Sequence, residues 1–178
     1  PLHVAFDECC KSADRRGLRV TGSELVGLVP KGVLVDAGKY FLKKQRRSTG
    51  IAEAEIIRIA IRSLGLDELG PFDPKKKVIE YLLEDHSSHP LIAMNLTAFA
   101  DETASESPAP GGGSISAYVG ALGTALGTMV ANLSAHKQGW DDRIDYFSDM
   151  ADKGQALKDS LMALVDADTR AFNRIMEA

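Results

Sequence analysis

The chain has 178 residues, 44% hydrophobic and 26% charged, and its 21 basic and 25 acidic side chains give a net charge of −4. This apolar content is typical of a packed core and excludes a mainly disordered chain. The slight acidic excess argues against nucleic-acid binding, which favours a basic face. The two cysteines, Cys9 and Cys10, are adjacent, which suits neither a disulfide framework nor a C-x-x-C metal pair. With no signal peptide at the start, we expect a reducing, cytoplasmic location.

The charge is divided unevenly along the chain. Residues 1–90 hold 15 basic and 13 acidic side chains, whereas residues 91–178 hold 6 basic and 12 acidic ones. The change falls at a polar segment that ends in Pro90, a residue that cannot continue a preceding helix. Because the chain starts without Met and ends inside a helical pattern, we expect it to be a fragment.

We therefore predict three parts: a first unit over residues 1–86, a linker over 87–90 and a second unit over 91–178. The first unit has mixed patterns, with strand-length apolar runs at 18–22 and 24–30. Helical spacing of apolar residues predicts further helices at 4–11, 33–47 and 52–64, and one that begins at Pro74.

The second unit has only helical patterns: a short helix at 91–100, a long one from 115 to about 136, and another from about 141 to the end. The predicted fold class is therefore α+β, with a partial α/β subdomain followed by an all-α helical bundle.

The long helix carries no charge, and residues 107–136 as a whole contain no Asp, Glu, Lys or Arg. Its length would allow a membrane span. However, it is rich in Gly, Ser and Thr and lacks aromatic belts. Small residues at four-residue spacing, such as Gly123 and Gly127, allow another helix to approach closely. The composition favours a helix covered on all sides in a bundle or a homodimer, with no membrane contact.

A glycine-rich loop, Pro110-Gly111-Gly112-Gly113-Ser114, precedes this helix. Ser114 is a candidate N-cap. Glycines let a ligand approach the backbone, and free N–H groups at a helix start attract anions. The loop is either a ligand-binding site of this kind or a flexible connector with a good cap. It is neither a Walker A loop nor a Rossmann turn.

The last helix contains two acids of contrasting position. At 100° per residue, Asp168 falls within the apolar stripe that Leu157, Leu164 and Phe172 form, whereas Asp166 falls on the opposite, solvent side. A buried carboxylate is costly unless it is paired, and such groups serve as general acids or bases. Asp168 is therefore either a catalytic acid–base or a structural acid bonded to a neighbouring helix.

Lys137, with His136, ends the uncharged helix. It either complements the helix dipole or faces a ligand. The four histidines show no metal-site spacing, and we expect no metal.

Two groups of motifs resemble a known family. Residues 1–7 (PLHVAFD) and 20–30 (VTGSELVGLVP) resemble the C-terminal subdomain of glutamate formimidoyltransferase. Residues 107–114 (SPAPGGGS), the small-residue helix and 164–168 (LVDAD) resemble the start of formimidoyltetrahydrofolate cyclodeaminase. The two enzymes occur fused in this order in the formimidoyltransferase-cyclodeaminase family.

The resemblance implies a folate-dependent enzyme of histidine degradation. It implies transfer of a formimidoyl group from N-formimidoyl-L-glutamate to tetrahydrofolate, with or without a polyglutamate tail. The 5-formimidoyltetrahydrofolate is then cyclised to 5,10-methenyltetrahydrofolate with release of ammonia. It also implies Asp168 as the cyclodeaminase acid–base residue, an all-helical dimeric cyclodeaminase and α/β transferase subdomains.

The candidate residues are then Asp168 for catalysis and Gly111, Gly112, Gly113, Ser114 and Lys137 for folate binding. The family's catalytic transferase histidine lies in a subdomain upstream of these motifs, and we expect the later helices of the cyclodeaminase domain to be absent. We therefore expect the chain alone to be inactive in both reactions. Two other functions remain open: a methenyltetrahydrofolate cyclohydrolase, and a non-catalytic folate-binding or assembly module.

Overall fold

The computed structural model describes residues 1–83 and 89–177, so the predicted linker at 87–90 lies partly outside the described residues. Eight α-helices make up the regular structure there, with a 3-10 turn at Asp141–Arg143 before the last. The helices are α1 Leu2–Asp14, α2 Lys31–Lys44, α3 Glu53–Leu64, α4 Pro74–Lys77, α5 Ile79–Leu83, α6 Leu96–Thr103, α7 Gly112–Ala135 and α8 Ile144–Met176.

The predicted α+β class is wrong for the described residues, which are essentially all-α. The apolar runs at 18–22 and 24–30 form no strand. Their one β contact is an isolated parallel bridge between Val29 and Val78. A strand needs a continuous partner to satisfy its backbone. Here Leu25 and Val29 pack against the core, whereas Val26 and Leu28 are 87% and 55% exposed.

Helices α2 and α3 build the core of the first half. Leu34, Ala37 and Leu42 are fully buried on α2 and pack with the isoleucines of α3, such as Ile56 and Ile57. The three- and four-residue spacing of these side chains puts them on one face of each helix, as the sequence predicted. Their burial makes α2 and α3 the rigid part of this half.

Helices α7 and α8 form an antiparallel hairpin in the second half. The buried residues of α7 are mostly small and recur every seven positions, at Ser114, Ala121, Thr128 and Ala135. This seam replaces the one expected at Gly123 and Gly127, where an added Cβ would meet nothing within 4 Å. Small side chains on the seam let the two helices pack closely.

The other face of α7 is not covered, contrary to the expectation of a helix buried on all sides. Six large apolar side chains there are 49–67% exposed: Val119, Leu122, Leu126, Met129, Val130 and Leu133. By its length and composition, α7 could cross a membrane. Of its most apolar 18-residue segment, 22% is buried. Core helices of soluble proteins meet the same criteria.

A loop of the first half docks on the hairpin. The Ser48 Oγ donates to Asn132 Oδ1 at 2.7 Å, and the Thr49 N–H donates to Ser148 Oγ at 2.7 Å. Asn132 Nδ2 also donates to the Gly50 carbonyl at 2.8 Å. Ser48 and Thr49 are 1% exposed, so these hydrogen bonds are shielded from water and tie the two halves together.

Candidate functional site

The glycine loop leads directly into α7. The helix begins at Gly112, and Gly111 is its N-cap residue, with no side-chain capping bond. The prediction that Ser114 caps the helix is therefore wrong, because Ser114 already lies inside the first turn. Its side chain turns sideways to α8 and donates to the Val165 carbonyl at 2.7 Å.

The first turn of α7 holds the carboxylate of Asp168. Asp168 Oδ2 accepts a hydrogen bond from the Ser114 N–H at 2.9 Å and lies 3.1 Å from Ser114 Oγ. The N–H groups of a first helical turn have no partner inside the helix, and the helix dipole favours negative charge there. Asp168 therefore supplies both a hydrogen-bond acceptor and a charge that suit this position.

The Ser114 hydroxyl is shared among three neighbours. It has one proton, which the Val165 carbonyl or Asp168 Oδ2 can accept, and its lone pairs can accept from Thr169 Oγ1 at 3.1 Å. Ser114 itself is 0% exposed. The result is a small buried polar cluster between α7 and the carboxylate of α8.

Asp168 lies where two depressions meet. The first, about 540 Å³, is mostly apolar and includes Leu161 and Leu164. The second, about 310 Å³, lies between the 108–113 loop and Phe172. Both include Gly113 and Asp168. Their volumes are in the range of small-molecule sites, which combine apolar walls with a few polar groups.

The two acids of α8 exchange the environments that the helical wheel predicted. Asp166, expected in solvent, is 2% exposed and accepts from the backbone N–H groups of Leu91 at 2.9 Å and Ile92 at 3.2 Å. Asp168, expected in a buried stripe, is exposed, and Leu164 beside it is 53% exposed.

The physical reason is the face through which α8 meets α7: a Cβ added at Gly154 of α8 would lie 2.1 Å from Thr128 Oγ1, and the Val165 carbonyl accepts from Ser114. A wheel drawn on α8 alone cannot identify this face. Ser148 and Ala151, which are also buried on α8, contact the loop at residues 48–50. Asp166 and Thr169 are the two polar residues of this region that sequence reasoning missed.

Lys137 lies at the other end of the hairpin. Helix α7 has 24 residues and is about 36 Å long from its rise per residue. The Lys137 Nζ lies 4.2 Å from the Trp140 ring centroid, a cation–π contact. Within the described part of the chain, Gly111, Gly112, Gly113 and Ser114 thus lie near Asp168, and Lys137 does not. In the same ranges there is no cluster of three His, Cys, Asp or Glu side chains that could hold a metal ion.

Family models match both halves of the chain. Residues 1–84 match the model described as "Formiminotransferase domain", and residues 95–178 match the one described as "Formiminotransferase-cyclodeaminase". The chain is 38% identical to a formimidoyltransferase-cyclodeaminase of Gallus gallus over all of its length, and 39% identical to one of Mus musculus over 99% of it. It spans about a third, 33%, of the length of either relative.

A second kind of relative matches about half of the chain. A methenyltetrahydrofolate cyclohydrolase of Methylorubrum extorquens is 34% identical over 83 residues, which are 47% of this chain and 40% of that protein. Both kinds of relative have names that refer to one-carbon groups.

Proposed function

Because the chain belongs to the formimidoyltransferase-cyclodeaminase family, we propose that its complete protein performs both reactions of that name. It transfers the formimidoyl group of N-formimidoyl-L-glutamate to tetrahydrofolate, with or without a polyglutamate tail. It then cyclises the product to 5,10-methenyltetrahydrofolate and releases ammonia. The observation that carries the proposal is the Asp168 carboxylate, held at the start of α7 beside two depressions.

In the cyclisation, N10 of the folate attacks the carbon of the protonated formimidoyl group on N5. The new N10–C bond forms, the proton on N10 must leave, and the former imino nitrogen must gain a proton to depart as ammonia. Asp168 takes the proton from N10 and returns it to the departing nitrogen, so the carboxylate is regenerated.

The apolar walls at Leu161, Leu164 and Phe172 suit the folate rings, and the backbone of Gly111 and Gly112 suits its polar groups. Lys137 is a folate contact only if the ligand extends to the far end of the hairpin.

The test is Asp168→Asn in the complete protein. We expect ammonia release from 5-formimidoyltetrahydrofolate to fall by about 100-fold or more, since general acid–base catalysis contributes 10²–10⁴-fold. Formimidoyl transfer and the thermal midpoint should stay unchanged. The matched control is Asp159→Asn, an exposed acid on the same helix whose side chain is 66% exposed. Near-normal ammonia release in Asp168→Asn would reject Asp168 as the acid–base residue.

A second candidate function is methenyltetrahydrofolate cyclohydrolase, supported by the relative of that name. The two activities can be distinguished by the substrate that each one consumes. A cyclodeaminase releases ammonia from 5-formimidoyltetrahydrofolate, whereas a cyclohydrolase consumes 5,10-methenyltetrahydrofolate without releasing ammonia.

We also propose that the complete protein is a cytoplasmic homo-oligomer. The exposed face of α7 carries six large apolar side chains, and exposed apolar patches of this kind mark interaction surfaces. The free thiols of Cys9 and Cys10 suit a reducing compartment. Light scattering in detergent-free buffer measures the oligomeric state, and a monomer would contradict this proposal.

A further inference from the structure

Two residues predicted to bind folate face the protein's own carboxylate instead. Ser114 is 0% exposed, so its hydroxyl cannot reach a ligand in the depressions. Its N–H and Oγ lie 2.9 Å and 3.1 Å from Asp168 Oδ2. The N–H of Ser114 is therefore bonded to Asp168 Oδ2, and its hydroxyl donates to the Val165 carbonyl or to that same oxygen.

Gly113 permits the close approach of that carboxylate. A Cβ built on Gly113 would lie 2.3 Å from Asp168 Oδ1 and 2.5 Å from Cγ. Real Cβ atoms do not come so close, so any other residue would displace the carboxylate from α7. Glycine lowers the intrinsic stability of a helix relative to alanine, and this contact gives a reason for its presence inside α7.

The two oxygens of Asp168 are consequently unequal. Oδ2 is held by Ser114, whereas Oδ1 accepts no hydrogen bond from residues 1–83 or 89–177. The free oxygen belongs to a carboxylate that borders both depressions. An acid–base group needs one oxygen available for the proton and a fixed orientation, and misplacement by about 1 Å can cost about 100-fold in rate.

We propose that Ser114 and Gly113 are positioning residues for the cyclisation. Ser114 holds Oδ2 and so presents Oδ1 to the substrate, and the missing side chain of Gly113 makes room for the carboxylate. This inference rests on the proposed cyclodeaminase function. It differs from a folate-binding role for these two residues, because a positioning residue affects the chemical step and a binding residue affects affinity.

The test is Gly113→Ala in the complete protein, with ammonia release followed over a range of 5-formimidoyltetrahydrofolate concentrations. We expect kcat to fall by about 10- to 100-fold while KM stays within about twofold. The thermal midpoint should change little, because the helix-forming gain of alanine opposes the loss of the hydrogen bonds to Asp168. Gly32→Ala is the matched control: Gly32 is likewise the second residue of its helix, α2, and an added Cβ there meets nothing within 4 Å. It should leave kcat unchanged.

A second variant, Ser114→Ala, removes the hydroxyl but keeps the backbone N–H that holds Oδ2. It should lower kcat less than Gly113→Ala does and leave KM within about twofold. Combined with Asp168→Asn, neither Gly113→Ala nor Ser114→Ala should lower the rate further, because the group they position is already lost. A raised KM with normal kcat in either single variant would assign these residues to folate binding and overturn the inference, as would unchanged kinetics in Gly113→Ala.

Failure of the proposed function has a different signature. It requires that the unaltered complete protein releases no ammonia. A fully active Asp168→Asn would instead reject Asp168 as the acid–base residue. Failure of the positioning role alone requires an inactive Asp168→Asn beside a normal Gly113→Ala.

Discussion

At the residue scale, two acids only two positions apart on α8 have different partners. Asp166 is buried and accepts two backbone N–H groups of the segment at 91–92, whereas Asp168 is exposed and bound to Ser114 through one oxygen. A carboxylate whose oxygens both accept buried hydrogen bonds anchors structure. One with a free oxygen at a depression is available for proton transfer. The distinction depends on partners rather than on residue type.

Asp166→Ala should therefore destabilise the fold. It leaves the N–H groups of Leu91 and Ile92 without their acceptor, and losing hydrogen bonds to a charged group costs about 2 kcal/mol. The free energy of unfolding from urea titration measures this loss. The exposed Asp159→Ala on the same helix should change it by less than about 0.5 kcal/mol. Equal effects of the two substitutions would show that Asp166 is not an anchor.

At the element scale, helices were easier to predict than their contacts. The apolar spacing of α2 and α3 predicted both helices within a few residues, because one face of each is buried. The spacing of α7 could not identify its packing face, since that helix carries no charged residue on any side. The two predicted strands failed because local β propensity does not supply a partner for the backbone.

Helix α1 is held to α2 by hydrogen bonds to the carboxylate of Asp7, whose charge depends on pH. Hydrogen bonds from the Tyr40 hydroxyl and from Lys44 Nζ, the latter at 2.9 Å, hold the pKa of Asp7 below its usual value. A lowered folded-state pKa stabilises the fold above the unfolded pKa of about 3.9, and this stability is lost as the pH falls through the folded value.

Asp7→Asn should accordingly lower the urea midpoint at pH 7. Its effect should be smaller at a pH below the pKa of the unfolded carboxyl. Asp14→Asn is the comparison: Asp14 is also on α1, and no hydrogen bond or ion pair involving its carboxylate is present among the described residues. An equal loss from Asp7→Asn at both pH values would contradict the role of its charge.

At the scale of the whole molecule, the loop at residues 48–50 connects the two halves. A Cβ on Gly50 would lie 2.2 Å from the Ala151 Cβ of α8, so only glycine allows this approach. Lys39 and Asp152 add an ion pair at 3.1 Å across the same junction. We expect the halves to unfold together, because the junction is buried and hydrogen-bonded.

Gly50→Ala should uncouple the unfolding of the two halves. The loop must then move away from α8, and the single calorimetric transition should separate into two. In the Gly32→Ala variant the added Cβ meets nothing within 4 Å, so one transition should remain. A single transition at an unchanged midpoint in Gly50→Ala would mean that the junction does not couple the halves.

The sequence by itself determined the helical elements, the charge division and, through its motifs, the family and Asp168 as the candidate acid–base residue. These depend on local spacing and on residue identity along the chain. The tertiary structure decided which face of α8 meets α7, that Asp166 rather than Asp168 is buried, and that Ser114 faces Asp168 instead of a ligand. Those outcomes depend on contacts between residues 50 to 75 positions apart, and periodicity within one helix carries no information about them.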